Sequence, residues 1–324
     1  IVYIHPYDKT HFKIFDARGD GDCGFYAYMY LLYRIHETLK GVRDVKTLFN
    51  TESDNNPTIA GKLVSGLTPI IYVPEGMTDN NAKIQFDKDE VQNFKTTILE
   101  FITGTEKDSY TEICKEEVWI NPQNKEQIAL PVEQAKHIET MCKKLKEIYN
   151  ILKPKQKTEQ TEPKSESGSS PAPTINEYLN NDDDIRNGKP ITFTAVNGDN
   201  LLTPEEIRTL NKAAVEANTA LEKSSFASRE AGEDFLPTDA RSIYIAFSQL
   251  ICETTTGKAE QNVKGQFSTD IIITLYRMTY IPVFTIGCAL YTSIKGRWIA
   301  QVDNECFEMP AIPLKFEYLG YPIS

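Results

Sequence analysis

The stretch DARGDGDCGF, residues 16–25, decides the fold, and the apolar run that follows it extends to Leu32. Gly19 and Gly21 allow the backbone conformations that a tight turn needs. From Cys23 onward the residues are apolar on almost every side, which is typical of a helix covered by its neighbours. The stretch therefore predicts a glycine-rich turn that leads directly into a central, buried helix.

Cys23 lies at the predicted N-terminus of that helix. The helix macrodipole favours the thiolate form of a cysteine at this end. The glycines let several backbone N–H groups converge ahead of the cysteine, and such groups form an oxyanion hole that stabilises the tetrahedral intermediate of acyl transfer. The pattern therefore indicates a nucleophilic cysteine.

Two other readings of the same turn compete with the nucleophile. One is a buried cysteine after an ordinary acidic turn. The other is a fragment of a calcium loop, but the spaced oxygen ligands and the closing glutamate of an EF-hand are missing, so we set calcium aside. We expect no metal and no cofactor.

The composition is that of a globular protein and argues against several classes of function. The net charge of −11 disfavours a nucleic acid partner, because phosphate binding requires clustered Lys and Arg. Six cysteines are spread along the chain without a CxxC pair, so we expect a reducing, cytosolic compartment and no disulfide framework. No apolar run approaches the roughly 20 residues that span a bilayer, and no secretory signal is visible.

Periodicity predicts the other elements. Residues 132–152 show the 3- and 4-residue apolar spacing of a helix, and we expect Pro154 to end it. Thr203, Pro204 and Glu206 form the signature of a capping box at the start of another helix. Further helices are predicted over residues 239–252 and 270–280, and strands over 281–286, 297–302 and 314–318. This order predicts an α/β (α+β) fold, with a mixed sheet packed against helices.

The segment DGDCGFYA, residues 20–27, resembles the signature of OTU cysteine proteases, in which Asp-Gly-x-Cys precedes an aromatic residue and the central helix. A helix, an Ile-Pro strand, a short turn and a further strand also follow the family order over residues 270–298. The long intervening region is similar to the helical insertions of OTU deubiquitinases among Legionella effectors. The resemblance covers about the first 40 and the last 60 residues.

The resemblance implies a papain-like OTU fold with a central mixed sheet flanked by helices and a large helical insertion. The catalytic core would comprise residues 1–105 and 235–324, and residues 106–234 would form a ubiquitin-binding arm. A flexible stretch is expected near residues 153–190, which are rich in Pro, Ser and charged residues. Cys23 would be the nucleophile, and Asp20, Gly21 and Asp22 would form the oxyanion loop. Asp16 is the first choice for the acid that orients the base, and Asp20 the second.

The family also needs a general-base histidine at the start of the penultimate strand, where this chain has Arg297 before Trp298. An arginine stays protonated and cannot accept the thiol proton. Four explanations are open: a substitution introduced to inactivate the enzyme, a natural pseudoenzyme, a local misalignment with Asp303 or Asn304 nearer the site, or a histidine recruited from elsewhere. The four histidines are His5, His11, His36 and His137.

The function implied is that of a cysteine deubiquitinase, which cleaves isopeptide bonds after the C-terminal glycine of ubiquitin. Ubiquitin or polyubiquitin chains would be the partner, and a net acidic chain suits the basic tail of ubiquitin. The effector resemblance implies a bacterial protein secreted into a host cell cytosol. The alternatives are an inactive OTU-fold protein that binds ubiquitin and a cysteine acyltransferase. The apolar stripe of residues 132–152 either packs on its own domain, which we favour, or cradles ubiquitin.

Overall fold

The fold combines helices with one large mixed sheet, an α+β architecture. The computed structural model describes residues 2–4, 11–38, 58–73, 75–76, 82–116, 118–120, 127–129, 132–161, 179, 182–195, 202–224, 226–227, 234–235, 239–256, 267–279, 283–286, 289–294, 297–302, 305–309, 317–318 and 321–322. Its helices are α1 (Cys23–Thr38), α2 (Ile59–Val64), α3 (Lys88–Thr103), α4 (Tyr110–Glu116), α5 (Val132–Thr161), α6 (Asp182–Arg186), α7 (Pro204–Lys223), α8 (Ala240–Thr256) and α9 (Thr269–Thr279).

Eight strands in the described part of the chain form the large sheet. They are β1 (Val2–Ile4), β2 (His11–Ala17), β3 (Ile70–Tyr72), β4 (Lys83–Gln85), β9 (Val283–Ile286), β10 (Ala289–Ile294), β11 (Arg297–Val302) and β12 (Glu305–Met309). The strand order is β3-β4-β2-β12-β11-β10-β9, and β1 pairs with β2. β2 and β4 are parallel, whereas the other pairs are antiparallel, so the sheet is mixed as predicted.

Three short pairs complete the strands of the described chain: β5 (Val118–Ile120) with β6 (Gln127–Ala129), β7 (Phe226–Ala227) with β8 (Asp234–Phe235), and β13 (Glu317–Tyr318) with β14 (Tyr321–Pro322). The predicted strand over residues 314–318 corresponds to β13, which is shorter. β10 was not predicted, although it lies between the two strands of the C-terminal third that were.

The chain forms two compact units. The first comprises Ile1–Thr97, Trp119–Ile128 and Leu275–Ser324, and the second comprises Ile98–Val118 and Ala129–Thr274. Residues 235–274, which sequence analysis assigns to the core with the cysteine, belong here to the second unit. The roles proposed for the core and the insertion stay predictions.

The first unit has α1 at its centre, as the sequence predicts. Every residue from Phe25 to Leu32 is buried. Phe25 and Tyr28 contact the ring of Phe94 in α3, with centroid distances of 6.5 and 6.2 Å. Aromatic pairs of this kind add about 0.5–1.5 kcal/mol each beyond the burial of their area. The start of α1 is therefore held firmly, which fixes the position of the turn ahead of it.

The second unit contains the helix predicted from residues 132–152. The buried residues of this α5 stripe are Ile138, Met141, Cys142, Leu145, Ile148, Tyr149 and Leu152. α5 packs mainly against α7, with further contacts to α4 and α8. Lys144 of α5 also pairs with Glu216 of α7 at 2.8 Å. The stripe is thus internal to this unit, and its side chains are not available to cradle ubiquitin.

The predicted end of α5 at Pro154 is wrong, because the helix continues to Thr161. A proline removes one backbone hydrogen bond of a helix, but the flanking Lys, Gln and Glu residues favour helix on both sides. The predicted flexible stretch is also partly structured. Within it Leu179 and Ile185 are buried, so its C-terminal part contributes to the core of the second unit, while residues 162–178 lie outside the described residues.

Candidate active site

The predicted turn ahead of α1 is present, and its backbone is pinned at both ends. The N–H of Arg18 donates to the carbonyl of Ile84 in β4 at 2.8 Å, which fixes the end of β2. Gly21 has φ 101°, a conformation that glycine adopts without strain. The N–H of Tyr26 donates to the carbonyl of Asp22 at 2.9 Å, so the helix begins at Cys23 as predicted.

Asp20 braces the turn from within. Its Oδ1 accepts a hydrogen bond from the N–H of Asp22 at 3.3 Å, and its Oδ2 accepts one from the hydroxyl of Tyr26 at 2.9 Å. The Nε of Arg18 lies 3.6 Å from the same Oδ2. Asp20 therefore joins the turn to the first turn of α1, and these contacts account for its position without a role as the acid of a triad.

Asp22, the residue directly ahead of Cys23, pairs with a buried lysine. The Nζ of Lys95 lies 2.7 Å from Oδ1 of Asp22, and the Lys95 side chain is only 5% exposed, against 27% for Asp22. The same ammonium lies 4.5 Å from the ring centroid of Phe25, within range of a cation–π contact. Lys95 thus links α3 to both sides of Cys23.

Sequence reasoning missed Lys95, although a signal was present. Lys95 lies four residues after Val91 and four before Leu99, on the apolar stripe of α3. A lysine on a buried stripe is uncommon unless it has a partner. The partner, Asp22, is 73 residues away in sequence, so only the fold identifies it.

Arg18 forms the outer side of the turn. Its Nη1 donates to Oε1 of Gln85 in β4 at 2.6 Å, and its guanidinium lies 4.3 Å from the ring centroid of Tyr72 in β3. The turn is therefore tied to two strands beyond β2 as well as to α1 and α3. Contacts with four elements leave little freedom for a loop of five residues.

Cys23 itself is half-buried, and its surroundings raise the pKa of its thiol. Burial raises the pKa of the thiol above the ordinary 9.0, and the negative charges of Asp20 and Asp22 raise it further. The backbone N–H groups of Gly24 and Cys23 act in the opposite direction. The N–H groups therefore favour the thiolate as predicted, but burial and the two carboxylates outweigh them. The pKa of this thiol is therefore raised on balance, although its place at a helix N-terminus acts in the other direction.

The strand register separates the two other predicted triad members. Asp16 of β2 pairs with Glu305 of β12, and Glu305 pairs with Val302 of β11. Arg297 is five residues from Val302 along β11, about 16 Å at the rise of an extended strand. The sheet therefore does not bring Arg297 to the end where β2 runs into the Cys23 turn. Asp16 does lie at that end.

The strand register also concerns the alternative alignment, in which Asp303 or Asn304 lies nearer the site than Arg297. Both residues lie outside the described residues. Val302 and Glu305, which flank them in sequence, share a row of the sheet with Asp16. The four explanations for the missing histidine, including a local misalignment, stay open.

Neither of the described histidines of the first unit lies beside Cys23. His11 lies five residues ahead of Asp16 on β2, about 16 Å away by strand rise. His36 is 13 residues along α1 from Cys23, about 20 Å by helical rise. His137 belongs to α5 in the second unit, and His5 lies outside the described residues.

The described residues contain neither a metal cluster nor a membrane-spanning helix. No group of three or more His, Cys, Asp or Glu side chains there could hold a metal ion. None of the described helices has the length and apolar character needed to cross a bilayer. The chain matches no protein-family model, no curated protein and no solved structure, so its likeness to OTU proteases rests on the quoted motifs alone.

Proposed function

We propose that this chain is an OTU-type cysteine deubiquitinase with Cys23 as its nucleophile. The observation that carries the proposal is the position of Cys23, half-buried at the start of a buried helix and directly after a turn held by Asp20 and Lys95. The N–H groups of Cys23 and Gly24 lie close to the sulfur, and the same region would hold the oxyanion that forms on the carbonyl oxygen of a bound substrate. This arrangement suits acyl transfer better than it suits a purely structural cysteine.

In the proposed reaction the Cys23 sulfur attacks the carbonyl carbon of the ubiquitin C-terminal glycine after losing its proton to a base. The oxyanion that forms accepts hydrogen bonds from backbone N–H groups of the turn and the first residues of α1. The C–N bond then breaks, the amine leaves with a proton, and water hydrolyses the thioester. Asp16 would orient the base, because β2 delivers it to the Cys23 end of the sheet.

The second candidate function is ubiquitin binding without cleavage. The raised pKa of the Cys23 thiol, due first to burial and then to Asp20 and Asp22, favours it. A thiol that stays protonated near neutral pH is a poor nucleophile unless a base accepts its proton. His11 and His36, the described histidines of the first unit, lie about 16 and 20 Å along their elements from Asp16 and Cys23, too far to do so.

A ubiquitin probe with a C-terminal electrophile, followed by intact-mass measurement, separates the two candidates. A deubiquitinase gives a covalent adduct that disappears in Cys23→Ala and persists in the matched control Cys114→Ala, whose cysteine is buried in α4. Binding by titration without any adduct supports the non-catalytic candidate. If the chain shows no binding and forms no adduct, both candidate functions are rejected.

The variant Arg297→His tests whether position 297 is the position of the family's general-base histidine. Because the strand register places Arg297 about 16 Å from the row of Asp16, we expect this change to leave the adduct yield within about twofold of the unaltered chain. The same probe assay measures it. An adduct that forms only in Arg297→His would show instead that position 297 is the family histidine position and that the register is misleading.

The effector resemblance extends the proposal to polyubiquitin chains as substrates and to a host cell cytosol as the place of action. Incubation with di-ubiquitin of each linkage, resolved by gel electrophoresis, tests the substrate. Cleavage of at least one linkage is expected, and Cys23→Ala is the matched inactive control.

A further inference from the structure

We propose that Lys95 is a positioning residue for Cys23: through its ion pair with Asp22 it holds the turn in place and offsets the carboxylate charge next to the thiol. The importance of this role for catalysis rests on the proposed function. The role itself concerns the reactivity of a thiol, which can be measured without any ubiquitin.

The burial of Lys95 is the first argument. A buried ammonium carries a large desolvation cost, which is offset only by a close partner of opposite charge with good geometry. Lys95 has such a partner in Asp22, at 2.7 Å, although its side chain starts from the apolar stripe of α3. A leucine or methionine would serve packing alone at that position, so the lysine points to a requirement at Asp22.

The location of Asp22 is the second argument. Asp22 is adjacent to Cys23, and its carbonyl accepts the first hydrogen bond of α1. Its carboxylate is one of the two charges that oppose ionisation of the thiol. Lys95 also lies over the ring of Phe25, two residues beyond Cys23. One cation therefore contacts both flanks of the cysteine.

Several charged and titratable groups are packed on the turn beside this thiol, and Arg18, Asp20 and Tyr26 among them stay unchanged in the test below. They come from the turn, from α1 and from α3, and they are Arg18, Asp20, Asp22, Tyr26 and Lys95. Arg18 pairs with Asp20 and not with Asp22. The charge of Asp22 is therefore the one that Lys95 controls most directly.

The test is the pH profile of Cys23 alkylation by iodoacetamide, followed at the Cys23 peptide by mass spectrometry. In Lys95→Met the Asp22 charge is no longer offset, so the rate near pH 8 falls by about three- to tenfold and the profile moves to higher pH. The rates converge at high pH, where the thiol is fully ionised. The exposed Lys88→Met in the same helix is the matched control and leaves the profile unchanged.

A double variant shows whether Lys95 acts through Asp22. Asp22→Asn alone removes the opposing charge and speeds alkylation at the same pH, whereas Lys95→Met with Asp22→Asn returns the rate to within about twofold of the unaltered chain. If Lys95→Met fails to fold, the pH profile of Asp22→Asn still tests the inference. An unshifted alkylation profile in Asp22→Asn would overturn it.

Two further outcomes would also overturn it: a folded Lys95→Met protein with an unshifted profile, or a double variant as slow as Lys95→Met. The two proposals can also fail separately. If the ubiquitin probe does not react but the variants show the expected order of alkylation rates, the proposed function is rejected and the role of Lys95 stands.

Discussion

Asp20 is the residue whose two effects on Cys23 are most easily separated. Its carboxylate accepts hydrogen bonds from Asp22 and Tyr26, which shape the turn. Its charge also raises the pKa of the Cys23 thiol, after burial as the larger cause. An asparagine keeps an oxygen acceptor at the same place but loses the charge, so the geometric and the electrostatic effects can be measured apart.

We predict that Asp20→Asn lowers the pKa of Cys23. Removal of a negative charge near the thiol favours the thiolate, so alkylation near pH 8 becomes faster, by about two- to tenfold. The measurement is the pH profile of the alkylation rate at the Cys23 peptide. The exposed Asp89→Asn at the start of α3 is the control and leaves the profile in place. A profile that moves to higher pH in Asp20→Asn would show that the hydrogen bonds accepted by Asp20 affect the pKa of Cys23 more than its charge does.

At the scale of single elements, α7 shows how closely a local signature can match the structure. The hydroxyl of Thr203 accepts a hydrogen bond from the N–H of Glu206 at 3.2 Å, and Oε2 of Glu206 accepts one from the N–H of Thr203 at 2.8 Å. Pro204 occupies the first turn, as expected. This capping box confirms the prediction made from the three residues alone.

We predict that Thr203→Ala lowers the free energy of unfolding by about 1 kcal/mol, because one N–H at the helix start loses its acceptor. Urea unfolding followed by circular dichroism measures the change. Thr209→Ala is the matched control, since Thr209 is also exposed but lies within the helix, beyond the cap. Equal losses in the two variants would mean that the threonine side chain matters for reasons other than capping.

For the long helix α5, the local pattern predicted neither its C-terminal end nor the element that packs on it. The apolar spacing of residues 132–152 predicted a helix correctly, but the true helix runs from Val132 to Thr161, beyond Pro154. The spacing also could not say what covers the stripe. α7 does so from more than 50 residues further along the chain, which no pattern within α5 records.

At the scale of the whole molecule, buried titratable groups of the second unit make its stability depend on pH. Burial is the main cause in each case. It raises the pKa of the Cys142 thiol to about 12, and those of the Tyr149 and Tyr244 hydroxyls also to about 12. Their ordinary values are 9.0 for the thiol and 10.0 for the hydroxyls. These groups therefore keep their protons in the folded chain at pH values where the unfolded chain loses them.

We predict that the free energy of unfolding falls as pH rises through the window from about 9 to about 12. A pKa raised by folding contributes stability that is fully present below the unfolded value and is lost toward the folded value, at about 1.4 kcal/mol per pKa unit and group. Urea midpoints across this window measure the loss. Tyr149→Phe removes one contributor and flattens the slope. A midpoint independent of pH would contradict the prediction.

Among the features that the sequence by itself determined are the turn at residues 18–22, the helix that starts at Cys23, the capping box at Thr203 and the α+β class. Each depends on contacts between residues close in sequence or on a repeating apolar pattern, so the local sequence is sufficient to predict it. The acidic turn was also visible, but its net effect on the thiol was not.

Only the tertiary structure decided which distant groups meet. The pair of Lys95 with Asp22 joins residues 73 positions apart, and the row that links Asp16 to Val302 passes through a third strand. A shift of two residues in that register would preserve every apolar pattern while moving Arg297 along the sheet. Burial around Cys23, which opposes the helix N-terminus, likewise results from packing by several elements at once. Long-range pairing and desolvation arise from the folded arrangement, and for that reason local sequence could not predict them.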